Sequence, residues 1–355
     1  MDKIKVAVIG CGDVAFRHYL PTIQALGDQV EVVAVCDCDG ARAAQAREMY
    51  EAAVACTSSD EVLALPNLDG VVILTPMETH GRLAIAALES GRHVYVEKVM
   101  ATSMAEADRM VALAEQKNLV LACAPGTVFL SAYQRTKELL HSGVIGQLCF
   151  AYALAAHMGP ARWEEFSGDP TWFYQPGAGP LFDLGVYPLH ILTQLVGPVK
   201  RVTAFSGLAV PELVMTARNV RGQRLRVQVD DTALLLLDFG NAILASIAAS
   251  YNVLASRLPD MQFWGSKGAM TAPQFLGDEV SIWRAENGRW ELIQLPPSAL
   301  DRFEIAAGLP HWLECIRAGK RPLNDGRHGR HILDILLAAQ RSARTGQAIT
   351  LESSW

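Results

Sequence analysis

The pattern of apolar and polar positions changes partway along the chain. Up to about residue 125, short runs of Val, Ile and Leu alternate with longer stretches in which apolar residues recur at helical spacing. Such runs are typical of strands buried on both faces, and their alternation with helices indicates a parallel sheet covered on each side. The predicted strands are 5–9, 30–37, 53–55, 70–74, 93–98 and 120–123, and the predicted helices are 40–50, 80–90 and 104–117, with a first helix from about residue 14.

In the second half of the chain, strand-like stretches adjoin one another instead of alternating with helices. Turn sequences at Phe239-Gly240-Asn241 and Asn287-Gly288 predict two hairpins, since Asn-Gly favours the tight turn between antiparallel strands. Adjacent hairpins indicate an open antiparallel sheet with helices on one face. The predicted strands are 148–156, 199–206, 226–239, 242–252, 279–284 and 290–295, and the predicted helices are 129–142, 187–196, 299–318 and 326–345.

The predicted fold class is therefore α/β, with two domains. A doubly wound parallel sheet of the Rossmann type occupies 1–125, and a second α/β domain with an open, mainly antiparallel sheet occupies 126–355. A length of 355 residues fits two domains better than one core. An uncovered sheet face is usually covered by another subunit, so we expect a homodimer or homotetramer formed through it.

Composition narrows the class of protein. With 50% hydrophobic residues, 19% charged residues and a net charge of −6, nothing predicts binding to nucleic acid or to an anionic membrane. We see neither a signal peptide nor an apolar run long enough to span a membrane, and we expect a cytoplasmic protein. The seven cysteines are scattered, and Cys36 and Cys38 lack metal or redox spacing, so we predict reduced thiols and no metal.

The first strand leads directly into a glycine turn with the sequence Gly-Cys-Gly-Asp-Val-Ala at 10–15. Gly10 permits a tight turn, Gly12 lets a pyrophosphate approach the main chain, and the following helix directs its N–H groups at phosphates. Alone, such a turn can be an ordinary strand–helix connection. The second strand, however, ends in Asp37, which is suited to a ribose hydroxyl and favours NAD, while Arg42 leaves NADP open.

Two further segments follow predicted strands and are expected near the same sheet edge. Thr75-Pro76 precedes His80, which either contacts the cofactor or simply begins a helix. Glu97-Lys98 ends the next strand. An ammonium group there can stabilise an alkoxide or polarise a carbonyl during hydride transfer, although a solvated lysine is the simpler explanation.

A third segment, 177–190, is a glycine-rich loop leading into an apolar helix. Tyr187 and His190 are three residues apart and share one helix face, and Asp183 lies just upstream. Burying an acid, a phenol and an imidazole together is unfavourable unless they contact a ligand or one another. The alternative is a core network with Asp183 as a helix cap.

These motifs resemble the Gfo/Idh/MocA family, which includes glucose–fructose oxidoreductase and inositol dehydrogenase, over essentially the whole chain. The resemblance implies a Rossmann domain, an α/β domain with an open sheet, and NAD(P)-linked oxidation or reduction of sugars and polyols. Lys98 matches the lysine of the family's Glu-Lys-Pro motif, and Asp183 matches the acid of its Asp-x-x-x-His signature. Two departures are Val99, in place of the motif proline, and Tyr187, in place of the usual histidine, as in the sugar-dehydrogenase branches.

The resemblance gives a mechanistic hypothesis in which Tyr187 exchanges the hydroxyl proton while Lys98 and Asp183 orient the substrate. A tyrosine with the usual pKa of about 10 needs a nearby cation to act at neutral pH, and Lys98 would supply it. His190 falls where relatives bind substrate. The residues implied for the cofactor are Gly10, Cys11, Gly12, Asp13, Val14, Asp37, Thr75, Pro76, His80, Glu97 and Lys98.

The aromatic loop 162–175 is the remaining candidate for substrate binding. Arg162, Trp163 and Trp172 are candidates because aromatic faces stack on sugar rings, although core or interface packing explains any single aromatic equally well. The sequence predicts hydride transfer between NAD(P) and a secondary hydroxyl or ketone of an uncharged sugar, glycoside or polyol. Two alternatives stay open: glycoside cleavage through transient oxidation, and a regulatory protein that binds NAD without catalysis.

Overall fold

The computed structural model describes residues 2–275, 277, 279–296 and 298–355. Contacts divide the chain into two units. The first comprises Met1–Gly126 and Ile305–Leu333, and the second comprises Thr127–Glu304 and Asp334–Trp355. The sequence predicts a single boundary at residue 125 and does not predict that 305–333 joins the first unit, because no local pattern indicates which core this helical segment packs in.

The first unit contains a parallel sheet with the strand order β3-β2-β1-β4-β5-β6. The order reverses between β1 and β4, and in sheets of this topology ligands bind at the carboxyl ends of the strands near that reversal. The predicted doubly wound sheet is confirmed. Its strands are β1 Ile4–Ile9, β2 Val30–Cys36, β3 Val54–Cys56, β4 Gly70–Ile73, β5 His93–Val96 and β6 Leu121–Cys123.

The helix after β1 begins with a π-helical turn, Ala15–Tyr19, which the sequence does not predict. Side chains cap two later helices of this unit: Asp39 accepts the N–H of Ala41, and Ser103 accepts the N–H of Glu106. The α-helices of the whole chain are α1 Leu20–Ala25, α2 Gly40–Tyr50, α3 Ser59–Leu63, α4 His80–Glu89, α5 Met104–Gln116, α6 Ser131–His141, α7 Pro180–Asp183, α8 Val186–Val196, α9 Gly308–Ala318 and α10 Gly326–Thr345.

The returning segment completes the core of the first unit through Trp312 on α9, which is fully buried. Its ring lies 6.0 Å from the ring of Tyr95 on β5. A Cβ atom at Gly70, the first residue of β4, would lie 2.9 Å from the Trp312 ring. The indole therefore occupies the space that a side chain on β4 would need.

The second unit contains a nine-stranded sheet with the order β16-β15-β14-β13-β7-β12-β11-β8-β17, and a two-stranded ribbon of β9 and β10. Among the described residues β7 and β12 pair in parallel and the other neighbours are antiparallel, so the predicted mainly antiparallel sheet is confirmed, while the one parallel pair was not predicted. The strands are β7 Leu148–Ala156, β8 Arg201–Gly207, β9 Glu212–Val214, β10 Arg224–Arg226, β11 Thr232–Asp238, β12 Leu244–Ser250, β13 Met261–Gly265, β14 Gly268–Ala272, β15 Glu279–Arg284, β16 Arg289–Gln294 and β17 Ile349–Thr350.

One face of this sheet is apolar and exposed. Along β11 alternate side chains are buried, but Leu234 and Leu236 are 53% and 60% exposed. Phe205, the partner of Leu234 on β8, is 72% exposed. We call these three residues the exposed sheet face.

Several predicted elements have different boundaries. The single strand predicted over 226–239 is two strands, β10 and β11, in different sheets. The buried carboxylate of Asp231 lies between them and accepts the N–H groups of Ala209 and Val210, so it holds a loop instead of continuing a strand. The helix predicted over 299–318 is a 3-10 stretch, Asp301–Ala307, followed by α9.

No helix in the described part of the chain has the length and apolar character that crossing a membrane requires.

Candidate active site

The glycine turn after β1 has one crowded position and one open position. Gly10 has a φ of +100°, and a Cβ there would lie 2.7 Å from the carbonyl carbon of Leu74 and 2.8 Å from the nitrogen of Thr75. At Gly12 a Cβ would meet nothing within 4 Å. The turn thus leaves its main chain accessible at Gly12, where a dinucleotide phosphate approaches in folds of this kind, and the residues fit an NAD cofactor.

Asp37, one residue after β2, connects its carboxylate to the glycine turn. It accepts the N–H of Cys11 at 2.8 Å and the N–H of Asp39 at 2.9 Å. The half-buried carboxylate is suited to ribose hydroxyls and repels a 2′-phosphate. Arg42, which left NADP open, pairs with Asp39 at 3.4 Å.

The other residues of the turn are held by the protein itself. The Cys11 thiol is buried, and burial raises its pKa to about 12, so it stays a thiol. Asp13 forms an ion pair with Arg17 at 2.7 Å, one helical turn on. Val14, half-buried, precedes the π-helical turn.

His80 joins the segment after β4 to the segment after β5. Its Nδ1 lies 2.7 Å from the Val99 carbonyl oxygen, and its Nε2 lies 2.7 Å from that of Thr75. The ring is buried, and burial is the main cause that lowers its pKa. A neutral ring donates to one of these carbonyls at a time. His80 thus lies beside the Lys98–Val99 segment, whereas Pro76 is exposed.

Glu97 and Lys98 follow β5 directly. The Glu97 carboxylate is 6% exposed; one oxygen accepts the Tyr19 hydroxyl at 2.6 Å and the other accepts the Lys98 N–H at 2.8 Å. Lys98 is half-buried, and the Lys98–Val99 peptide bond is cis. Tyr19 was not predicted, because no local pattern distinguishes it from a tyrosine that simply packs in the core from an apolar helix.

In the second unit, α7 and α8 carry Asp183, Tyr187 and His190, and all three side chains are buried. The Asp183 carboxylate accepts the hydroxyl of Tyr251 at 2.8 Å. Burial, and then the charge of Asp183, raise the pKa of Tyr251 well above its usual value, with a smaller contribution from Tyr187. The structure thus brings Asp183, Tyr187 and Tyr251 into one cluster.

Tyr251 and His157 were missed by sequence analysis, yet both follow neighbouring parallel strands, β12 and β7. Their rings stack with centroids 5.9 Å apart, and His157 Nδ1 accepts the N–H of Gly159 at 2.8 Å. His157 follows the predicted strand 148–156 directly, and Tyr251 lies at the end of the predicted strand 242–252. A polar ring at the end of each strand is the signal that could have found them. The Tyr251 hydroxyl donates a hydrogen bond to Asp183, the acid that the sequence predicts.

His190 lies one turn after Tyr187 but in the interior of the unit. Burial lowers its pKa to about 3, so the imidazole is neutral at ordinary pH. Its predicted part in proton transfer or substrate binding stays a prediction.

The aromatic loop reaches this cluster through Arg162. Its guanidinium lies 3.5 Å from the side-chain oxygen of Asn252, the residue after Tyr251. Asn252 Nδ2 is buried and has no hydrogen-bond partner within the part of the chain that the structure describes. Trp163 packs on Phe166, with ring centroids 6.2 Å apart, and Trp172 stacks on Phe173 at 3.7 Å.

Comparison with known families matches both halves of the chain. A profile described as "Oxidoreductase family, NAD-binding Rossmann fold" matches residues 4–124. A profile described as "GFO/IDH/MocA C-terminal domain" matches residues 133–271.

Individual proteins are similar over nearly the whole length. Scyllo-inositol 2-dehydrogenase (NAD(+)) of Bacillus subtilis is 26% identical over 362 residues, covering 99% of this chain and 97% of that protein. D-glucoside 3-dehydrogenase of Escherichia coli is 25% identical over 356 residues, covering 99% and 98%. The structure of levoglucosan dehydrogenase with NADH and L-sorbose superposes with a TM-score of 0.84 at 19% identity, covering 99% and 100% of the two chains, which shows a shared fold.

Proposed function

The chain belongs to the Gfo/Idh/MocA oxidoreductase family, and from this premise we propose that it transfers a hydride between nicotinamide and a secondary hydroxyl or ketone of a sugar, glycoside or polyol. As a member of the family it is an NAD(P)-dependent oxidoreductase acting on CH–OH groups. The names of the inositol and glucoside dehydrogenases support the substrate class. The observation that carries the proposal is the buried Asp183 carboxylate, hydrogen-bonded to Tyr251 beside Tyr187.

The bound nicotinamide supplies the site that accepts or donates the hydride. The glycine turn would hold the phosphates at Gly12, and Asp37 would bind the adenosine ribose and favour NAD over NADP. The other residues proposed to contact the cofactor are Gly10, Cys11, Asp13, Val14, Thr75, Pro76, His80, Glu97 and Lys98.

Three side chains are assigned to the reacting group. The Lys98 ammonium stabilises negative charge that develops on the reacting oxygen, and Tyr187 exchanges the proton of the substrate hydroxyl. Asp183 orients a substrate hydroxyl, while the Tyr251 hydroxyl fixes one oxygen of the Asp183 carboxylate through a hydrogen bond. His190 is the alternative proton-exchanging group if Tyr187 proves dispensable.

Substrate recognition is assigned to the polar groups beside this cluster. The unpartnered amide nitrogen of Asn252, as far as the described residues go, and the guanidinium of Arg162 suit the hydroxyl groups of an uncharged sugar. Trp163 and Trp172 offer flat apolar faces, although each already packs on a neighbouring phenylalanine.

We also propose that two or more copies associate through the exposed sheet face. Exposed apolar side chains on neighbouring strands of one sheet are a common feature of subunit contacts.

The decisive experiment is a panel of sugars, glycosides and polyols with NAD and with NADP, following reduced nicotinamide and product release together. Lys98→Met and Tyr187→Phe are each expected to lower turnover by at least about 100-fold, the usual scale for acid–base catalysis. Lys117→Met, an exposed lysine, and Tyr152→Phe, a tyrosine on β7, serve as matched controls.

Other outcomes identify the rival functions. Release of an aglycone without net NADH identifies glycoside cleavage by transient oxidation. NAD binding without turnover on any substrate, unchanged by Lys98→Met, identifies a regulatory protein and contradicts the proposal.

A further inference from the structure

A buried tyrosine–glutamate pair is connected to Lys98 through the main chain. Tyr19 is fully buried, and its hydroxyl donates to Glu97 Oε1 at 2.6 Å. The second oxygen, Oε2, accepts the Lys98 N–H at 2.8 Å. Each oxygen of the carboxylate therefore receives one hydrogen bond from the protein, and one of the two donors is the amide of Lys98 itself.

A carboxylate in such surroundings is stable only when its oxygens are hydrogen-bonded, because burial disfavours the charge. Tyr19 is suited to the task. Burial, followed by the charge of Glu97, raises its pKa well above the usual value, so the phenol keeps its proton and remains a donor. Within the described part of the chain, loss of this donor would leave only the Lys98 amide hydrogen-bonded to Glu97.

The neighbouring elements fix the position of the Tyr19 side chain. Tyr19 ends the π-helical turn Ala15–Tyr19, which widens the helix directly after the cofactor-binding turn. Tyr95 lies two residues before Glu97, and its ring packs edge-on against Tyr19 with centroids 5.8 Å apart. Tyr95 and Glu97 therefore both contact Tyr19, the first by ring packing and the second by a hydrogen bond.

We propose that Tyr19 is a positioning residue for Lys98 that acts through Glu97. The phenol fixes the carboxylate, the carboxylate fixes the Lys98 amide, and the amide sets the direction in which the lysine side chain leaves the strand end. The consequence for catalysis rests on the proposed function, in which Lys98 acts on the reacting oxygen, whereas the consequence for the amide does not.

The test compares Tyr19→Phe with Tyr95→Phe, which removes a neighbouring buried phenol. Among the described residues the buried Tyr95 hydroxyl has no hydrogen-bond partner, so this variant removes neither hydrogen bond to Glu97. Hydrogen exchange of the Lys98 amide is measured by NMR in cofactor-free protein. Tyr19→Phe is expected to accelerate it by about 10-fold or more, as the loss of a hydrogen bond to a charged group implies, and Tyr95→Phe is not. With cofactor and substrate, Tyr19→Phe is expected to lower kcat by about 10-fold and to change KM less than about 2-fold, since positioning affects the reacting state most.

Comparison with Glu97→Gln tests whether Tyr19 acts through Glu97. If Tyr19→Phe folds poorly, the single variant Glu97→Gln still tests the contact between the carboxylate and the Lys98 amide. Glu97→Gln alone is expected to produce the same acceleration at Lys98, and adding Tyr19→Phe to it is expected to accelerate exchange no further. Unchanged exchange in Tyr19→Phe, equal acceleration in Tyr95→Phe, or additive effects with Glu97→Gln overturn the proposal. If Lys98→Met retains full turnover, the proposed function fails, and the exchange measurement still decides whether Tyr19 positions the amide.

Discussion

At the scale of single residues, burial decides what a titratable side chain can do. His190 has the residue type of a proton carrier, but burial lowers its pKa to about 3. Tyr251 is held in the protonated form by burial and by the charge of Asp183. At neutral pH, before any substrate binds, His190 is therefore neutral and Tyr251 is protonated.

Replacing His190 with glutamine is expected to weaken the acid sensitivity of the fold. In the unfolded chain a histidine titrates at about 6.5, while folded His190 titrates at about 3, so between these values only the unfolded state takes up the proton. The contribution of neutral His190 to the free energy of unfolding is therefore fully present above about pH 6.5. It decreases as the pH is lowered, by about 2 kcal/mol at pH 5. The measurement is the free energy of unfolding at pH 7.5 and pH 5.

In His190→Gln the decrease between these two pH values is expected to be smaller by about 2 kcal/mol. His141→Gln, at an exposed position on α6, is the control and is expected to behave as the wild type. An unchanged pH dependence in His190→Gln would mean that the imidazole is not buried as described.

Residue type and position at a strand end predicted Lys98 and Asp37 as candidates, and Asp183 was predicted from its place just before the apolar helix that carries Tyr187 and His190. The same reasoning missed Tyr251 and Tyr19. Tyr251 is 68 residues from its partner Asp183, and Tyr19 is 78 residues from Glu97. A single sequence carries no signal of such long-range pairing, so the acids were predictable but their pairing with these two tyrosines was not.

At the scale of elements, the strand–turn–helix unit combines two glycines with different requirements. Gly10 lies in a positive-φ conformation against the backbone of Leu74 and Thr75, whereas Gly12 has open space around it. The first requirement belongs to folding and the second to the approach of a ligand. Alanine substitutions separate the two.

Gly10→Ala is expected to destabilise the protein by at least about 2 kcal/mol, because both the conformation and the contacts exclude a Cβ. Gly12→Ala is expected to change stability by less than about 0.5 kcal/mol but to weaken NAD binding by about 10-fold or more, because the methyl group occupies the phosphate approach. Chemical unfolding and calorimetric titration with NAD measure the two effects. Unchanged NAD affinity in Gly12→Ala would contradict the assigned binding site.

The apolar pattern predicted the parallel strands well and some antiparallel strands poorly. β13 and β14 were missed; each has only five residues, and they meet at a tight turn between Gly265 and Gly268. A Cβ at Gly268 would collide with the carbonyl of Trp283 on the adjacent strand, so close backbone packing requires glycine there. Both predicted hairpins, by contrast, are confirmed, since their turn sequences are local signals.

At the scale of the whole molecule, the exposed sheet face predicts self-association. Leu236→Glu places a charge at its centre and is expected to shift the protein to a smaller species, because desolvating a carboxylate in an apolar contact is unfavourable. Light scattering coupled to size-exclusion chromatography measures the mass. Met49→Glu alters an exposed apolar residue on α2 and is expected to leave the mass unchanged. A wild-type monomer at micromolar concentration would contradict the proposal.

The return of Ile305–Leu333 to the first unit has a consequence for biosynthesis. Trp312 fills the space beside Gly70 and Tyr95, yet it emerges from the ribosome only after the entire segment Thr127–Glu304 has been translated. During synthesis, the core of the first unit therefore lacks the Trp312 side chain until the intervening polypeptide has been made. Its maturation is tied to the late stages of translation rather than to the early ones.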